Sequence, residues 1–363
     1  MKKLLALVLA LALTFSLVGC GKKDDSSKPV EGDKDQLKVH LIVSTLGDKS
    51  FNDSAYNGLL KAEKDLGIKL SFVEFGTDNS KAAPTMLEAA EEGYDVIIFN
   101  NLGYGMAETW LVENAAKYPD TNFLMYDEVK YQPNVPNVQC LSYKANESDF
   151  LAGALAAKLS KTGTIAFVGG EDNPIIADFF VGYAQGAKYA NPDIKMTVSY
   201  TESWTDAPKG KELGLAAINA GADVIHAVAG SAGNGALEAA QSKKLLGIGV
   251  DSDQYELFKT DKPELAASIV TSSLKNVGQS LYMTIDAIQK GTFVGGSRTW
   301  FGMPEGCAGI AENENYKKLV DADTQAYIED VKAKMAAGEI KVDSFFDMKD
   351  EDYKALKASV EKK

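Results

Sequence analysis

The segment Gly47-Asp48-Lys49-Ser50-Phe51-Asn52-Asp53-Ser54-Ala55 sets one large aromatic ring among carboxylate, ammonium, hydroxyl and amide groups just before a helical pattern. Side chains of these types can stack on a flat ligand and hydrogen-bond its edge. Asp53 or Ser54 reads as an ordinary helix N-cap. Phe51 has two readings: a ring on an exposed loop tip that something must cover, or a ring folded back into the core. Farther on, Gly230-Ser231-Ala232-Gly233-Asn234-Gly235 lies between a strand and a helix and lets backbone amides approach a ligand hydroxyl. It departs from G-x-G-x-x-G, and no Walker pattern occurs anywhere. Asp251-Ser252-Asp253 invites a calcium reading that Tyr255 and Glu256 break. Neither a metal nor a cofactor is expected.

Groups for covalent or acid–base catalysis are scarce. The two histidines, His40 and His226, both fall in strand patterns, which assigns them to sheet-facing or buried positions. There is no Gly-x-Ser-x-Gly elbow, no His-Glu-x-x-His and no cysteine placed for catalysis. Carboxylates are plentiful, so residue types alone leave open a secreted nucleoside or glycoside hydrolase, which would need two of them flanking the scissile bond. A binding protein, not an enzyme, is the expectation.

Composition narrows the partners. A formal charge of -13 argues against nucleic acid or anionic lipid. A hydrophobic content of 45% and a charged content of 25% are those of a soluble globule. The N-terminus runs Met1-Lys2-Lys3, an apolar stretch from Leu4 to Val18, then Gly19-Cys20, which is the layout of a secretory signal. The stretch is shorter than the ~18 to 20 residues of a spanning helix. Leu17-Val18-Gly19-Cys20 resembles the bacterial lipobox, which implies acylation of Cys20. Residues 1–19 are therefore expected to be a signal peptide. Residues 20–37 follow as a lipidated cysteine and a polar tether with a reach of about 20 to 25 Å. That places the body on the extracytoplasmic face of the cell membrane. Cys140 and Cys307 either pair or pack as small hydrophobes, and they are too few for a Cys-rich zinc site.

These loops need elements to position them. Val39–Val43, Leu70–Phe75, Val96–Phe99 and Phe123–Tyr126 read as strands, with helical patterns at Ser54–Leu66, Ala82–Glu92 and Glu108–Lys117 between them. Strands alternating with helices imply βαβ units and a parallel sheet. The pattern then restarts: Gly93-Tyr94-Asp95-Val96-Ile97 is matched by Gly221-Ala222-Asp223-Val224-Ile225, each a capping glycine before a buried strand. Ile165–Val168, Val181–Ala190, Met196–Tyr200 and Lys209–Ala220 repeat the order of the first half. The fold class is α/β, with two doubly wound lobes whose ligand cleft lies at the carboxyl ends of both sheets. The first lobe is expected over 38–142 plus about 273–315. The second is expected over 143–272 plus about 316–350, with 351–363 as a tail, and Leu265–Ser272 and Thr299–Gly302 cross between the lobes.

Asp48-Lys49-Ser50-Phe51-Asn52, followed by Ser54-Ala55 and Gly58, resembles the signature of the basic membrane protein family of nucleoside-binding lipoproteins. The likeness continues through Gly169-Gly170, Trp204-Thr205-Asp206-Ala207-Pro208-Lys209-Gly210-Lys211, Ala229-Gly230, Gly249-Val250-Asp251-Ser252-Asp253-Gln254 and Ser273-Leu274-Lys275-Asn276-Val277. It implies a type I periplasmic-binding-protein fold that delivers nucleosides, typically purine ones, to an ABC permease by hinge closure, as a monomer. It also implies a base sandwiched by Phe51 and Trp204, where the family commonly has Phe in place of the Trp. Asp127 would accept hydrogen bonds from the base edge with Asn52 and Asp48 helping, and Asp251, Lys275 and the Gly230 backbone would hold the ribose. From the residues alone, Asp127 could instead be a helix cap, and Asp251 with Lys275 a buried ion pair between lobes. A sugar-binding protein of the same fold is the alternative, because hydroxyls suit the same groups. A surface adhesin finds no repeat and no apolar or basic patch to support it.

Overall fold

The computed structural model describes residues 36–100 and 105–362. The expected signal peptide, Cys20 and the tether up to residue 35 lie outside the described residues. The apolar runs form strands β1 (Lys38–Val43), β2 (Lys69–Glu74), β3 (Val96–Asn100), β4 (Asn122–Tyr126), β5 (Val138–Tyr143), β6 (Thr164–Gly169), β7 (Lys195–Tyr200), β8 (Val224–Val228), β9 (Leu246–Asp251), β10 (Ile269–Lys275), β11 (Ser297–Phe301) and β12 (Ala308–Ile310). Helices α1 (Phe51–Leu66), α2 (Ala82–Glu92), α3 (Met106–Asn114), α4 (Ala145–Leu159), α5 (Pro174–Ala190), α6 (Ala207–Asn219), α7 (Gly230–Ser242), α8 (Gln254–Phe258), α9 (Pro263–Ala266), α10 (Val277–Gln289), α11 (Glu314–Leu319), α12 (Ala322–Ala336) and α13 (Asp350–Val360) complete it.

The strands make two six-stranded sheets of matching order, β11-β5-β4-β3-β1-β2 and β12-β10-β9-β8-β6-β7. Pairing is parallel throughout except for β12, which runs antiparallel to β10. Parallel sheets are covered on both faces, so their strands are continuous apolar runs. In β1, Val39, Leu41 and Val43 enter one core cluster with α1 and α10, while Ile42 enters another with α2 and α3. The second sheet is flanked the same way by α4 and α5 on one side and α6 and α7 on the other. Gly93 and Gly221, the repeated glycines, both take the left-handed backbone, at φ 74° and 101°, that turns a helix into the next strand.

The chain passes between lobes after β5, after β10 and after β11. The block expected in the first lobe over about 273–315 divides differently. β10 stays in the second sheet as far as Lys275, α10 and β11 return to the first lobe, and β12 pairs with β10 through Ser273 and Ile310. The expected tail 351–363 is largely helix α13. Tyr353, Leu356 and Val360 give it an apolar stripe, Val360 is fully buried in the second lobe, and Glu361 bridges Met196 on the edge strand β7. Cys140 and Cys307 are both free thiols in separate core clusters. Among the described residues no helix is long and apolar enough to cross a membrane.

Candidate functional site

A cavity of about 530 Å³ lies between the carboxyl ends of the two sheets. That is within the ~300 to 1,000 Å³ of small-molecule sites. Asp48, Phe51, Asn52, Asp127, Trp204, Gly230, Asp251 and Lys275 all line it. Each comes from a loop or strand end that the parallel topology aims at the cleft, which is why residues far apart in sequence converge.

The first-lobe loop is built by its own hydrogen bonds. The Asp48 carboxylate accepts from the backbone N–H groups of Ser50, Asn52 and Asp53 at 2.9, 2.8 and 3.1 Å. It thus satisfies the orphan amides at the start of α1, and their positive dipole end favours its charge. Burial pushes its pKa up, while the three amides oppose that shift. Neither Asp53 nor Ser54 is the cap. Asp53 reaches back to the Gly47 and Lys49 amides, and the Ser54 hydroxyl accepts from Gly278 N–H. These three bonds give Asp48 the shape of the loop to hold, in addition to its place on the cavity wall. Asn52, which lines the cavity, donates through Nδ2 to the Thr45 carbonyl at 2.8 Å and to Ser44 Oγ, and its Oδ1 is buried without a partner. A buried acceptor of this kind costs stability until something donates to it.

The charges converge on one ammonium. Lys275 is 4% exposed and donates to Asp127 Oδ2 at 2.9 Å, with Asp251 Oδ1 at 3.8 Å. Burial alone would pull the Lys275 pKa down, but the two carboxylates more than offset it and hold it up. Asp251 accepts from Ser50 Oγ of the opposite lobe. Burial pushes its carboxyl up to about 6, against the opposing pull of Lys275 and Ser50. Asp127 and Asp251 both take the left-handed backbone, at φ 60° and 63°. For a residue with a Cβ this costs on the order of 1 to 2 kcal/mol and is best tolerated by Asn and Asp.

The apolar walls come from both lobes. The Phe51 ring, half-buried, sits 5.3 Å from that of Tyr126 and carries the Lys275 ammonium 4.5 Å from its centroid. It therefore lines the cavity and also leans on the first-lobe core. Trp204, 39% exposed, is seated on the backbone of Gly170, where an added Cβ would come within 2.3 Å of the indole. Gly230 opens α7 at φ 54°, and no side chain caps this helix N-terminus. Sequence reasoning overlooked Phe179, which is buried on the cavity wall with its ring 5.1 Å from the Lys275 ammonium, and Ser50. Phe179 sits beside Phe180 in a run that reads as plain core, and a lone serine carries no signal at all. Neither histidine lines the cavity: His40 stacks on Tyr94, and His226 is buried against Asp149 and the Ile248 carbonyl.

The sequence profile of the Bmp family, described as ABC transporter substrate-binding protein PnrA-like, matches residues 36–344. The chain is 34% identical to Basic membrane protein A of Borreliella burgdorferi, over 95% of this chain and 96% of that protein. It is 31% identical to the ABC transporter nucleoside-binding protein BmpA of Lactococcus lactis, over 90% and 96% of the two chains. A crystal structure of an ABC transporter solute-binding protein from Aeropyrum pernix K1 superposes with a TM-score of 0.76 at 24% identity, covering 89% of this chain and 98% of that one. At that identity the likeness speaks for the fold.

Proposed function

Since this chain belongs to the Bmp family of PnrA-like ABC transporter substrate-binding proteins, we propose that its ligand is a nucleoside, held by closure of the two lobes and passed to a membrane permease. The observation that carries the nucleoside reading is the convergence of Phe51 and Trp204 with Asp127, Asp251 and Lys275 on one cavity. Aromatic rings stack on a base whatever its identity, at about 1 to 3 kcal/mol per base. Ionised carboxylates and an ammonium grip hydroxyls with charge-assisted bonds.

In this reading Phe51 and Trp204 enclose the base, while Asp127 and Asn52 meet its edge. Asp251, Lys275 and the amide end of α7 at Gly230 take the ribose. Asp48 acts by shaping the loop that carries Phe51 and Asn52. Ligand contacts to both lobes stabilise the closed form, which the permease recognises. The protein works as a monomer, tethered by a lipid on Cys20 outside the cytoplasmic membrane.

Titration calorimetry of protein starting at Gly21, refolded to strip carried-over ligand, tests this with adenosine, guanosine, inosine, uridine, cytidine, ribose and glucose. Saturable nucleoside binding with the nucleoside recovered intact is the expected result. Heat from free sugars alone moves the assignment to a sugar-binding protein, and release of free base moves it to a hydrolase.

A further inference from the structure

Gln254 and Asn234 lie outside the cavity wall, yet they bind the loop that forms it. Gln254 is 1% exposed at the start of α8, and its amide is fixed in orientation by obligate backbone partners. Its Oε1 accepts from Val250 N–H at 3.1 Å, so Nε2 must be the side that donates to the Lys49 carbonyl of the opposite lobe at 3.0 Å. Nε2 also donates to Asn234 Oδ1 at 3.1 Å, which turns Asn234 Nδ2 toward the Asp48 carbonyl, again across the lobes, at 3.2 Å. Space for this side chain is reserved: a Cβ on Gly249 would come within 2.5 Å of Gln254 Oε1.

The two carbonyls so held belong to Asp48 and Lys49, in the loop that leads into Phe51 and Asn52. Lys49, the second of the two residues so held, has φ 57°, a backbone that needs support from its surroundings. Ser252 Oγ donates to the Ser50 carbonyl at 3.0 Å and completes the grip. None of these bonds uses a ligand-facing side chain, so they need no ligand to form and hold the loop in the ligand-free protein as well.

We propose that Gln254 and Asn234 are positioning residues: an amide clasp from the second lobe that fixes the Phe51 loop of the first and thereby sets ligand affinity without touching the ligand. The affinity part rests on the nucleoside reading above, while the ordering of the loop does not.

The test uses Gln254→Glu, which keeps the acceptor for Val250 N–H and removes both donors, and Asn234→Ala, at a half-buried position, in case the first variant folds poorly. Amide exchange over residues 48–53 of the ligand-free protein is expected to quicken at least tenfold in each, while the core strands of Asn234→Ala exchange as in the wild type. Nucleoside affinity is expected to fall at least tenfold, and that loss should vanish in a Phe51→Ala background, because the clasp acts through this ring. Wild-type exchange rates in both variants, or an affinity loss that simply adds to that of Phe51→Ala, would overturn the proposal. If the wild-type protein binds no nucleoside, the nucleoside reading fails, and the exchange rates alone decide the clasp.

Discussion

Asp127 and Asp251 occupy equivalent places in the two lobes. One follows β4 and the other ends β9, each the third strand in its sheet, and both turn through a left-handed backbone to bring a carboxylate to the same Lys275 ammonium. The pair is thus a point where the internal repeat of the chain becomes a single site. The lysine comes from β10, beside the crossing back to the first lobe, so the three charges tie lobe to lobe at the hinge side of the cleft.

Removing that ammonium should be costly. Lys275→Met leaves the buried Asp251 and the partly buried Asp127 without their cation, and a loss of about 3 to 5 kcal/mol is expected. Chemical denaturation of the ligand-free protein checks it, and an unchanged midpoint would mean that other groups compensate the carboxylates.

Stacking predicts a graded loss at the two rings. Phe51→Ala and Trp204→Ala should each weaken nucleoside binding by about 1 to 3 kcal/mol, roughly 5- to 150-fold. Gly170→Ala should approach the Trp204→Ala value without removing the ring, since its methyl takes the space of the indole. Calorimetry gives the affinities, and tryptophan emission of Gly170→Ala reports whether the ring has moved.

Acid should weaken binding. Burial holds the Asp251 carboxyl at about 6, so lowering the pH from 7 to 5 neutralises the group proposed to accept from the ligand hydroxyls. Affinity is expected to drop about tenfold over that range. The profile should flatten in Asp251→Asn.

The same carboxyl has the opposite effect on the stability of the free protein. An unfolded Asp titrates near ~3.9, so between that pH and about 6 the folded form keeps a proton that the unfolded chain has released. The stability this confers is complete below about 4 and is lost as pH rises through about 6. Asp178, held up at about 6 by burial while accepting from Ser344 and Phe345, behaves alike. Asp251→Asn should therefore melt above the wild type at pH 7, with the gap closing toward pH 5 in parallel melting curves.

Helix α13 should matter to folding. Truncation after Lys349 uncovers the core where Tyr353, Leu356 and Val360 pack and frees the edge of β7. Loss of several kcal/mol is expected from the buried apolar area removed, read as a lower denaturation midpoint, with the first lobe unaffected in amide exchange.

Local rules sufficed for much of this protein. The alternation of apolar runs with helical periods determines parallel α/β lobes, because both faces of such strands must be buried. The recurrence of Gly93-Tyr94-Asp95 as Gly221-Ala222-Asp223 exposes the repeat. Strand-end loops also locate the cavity, since parallel strands aim all their carboxyl ends one way. The eight wall residues were legible chiefly through a resemblance that spans the chain, and hardly from the chemistry of any one of them.

Tertiary structure decided what depends on contacts between distant segments. Lys275 belongs to β10 in the second sheet, and β12 joins the same sheet, because their pairing partners lie far away in the chain. Asp48 took the amides at the start of α1, the N-cap part that Asp53 or Ser54 was expected to play. The roles of Ser50, Phe179, Gln254 and Asn234 exist only where the two lobes meet, and a sequence carries periodicity along the chain but no distances across a cleft.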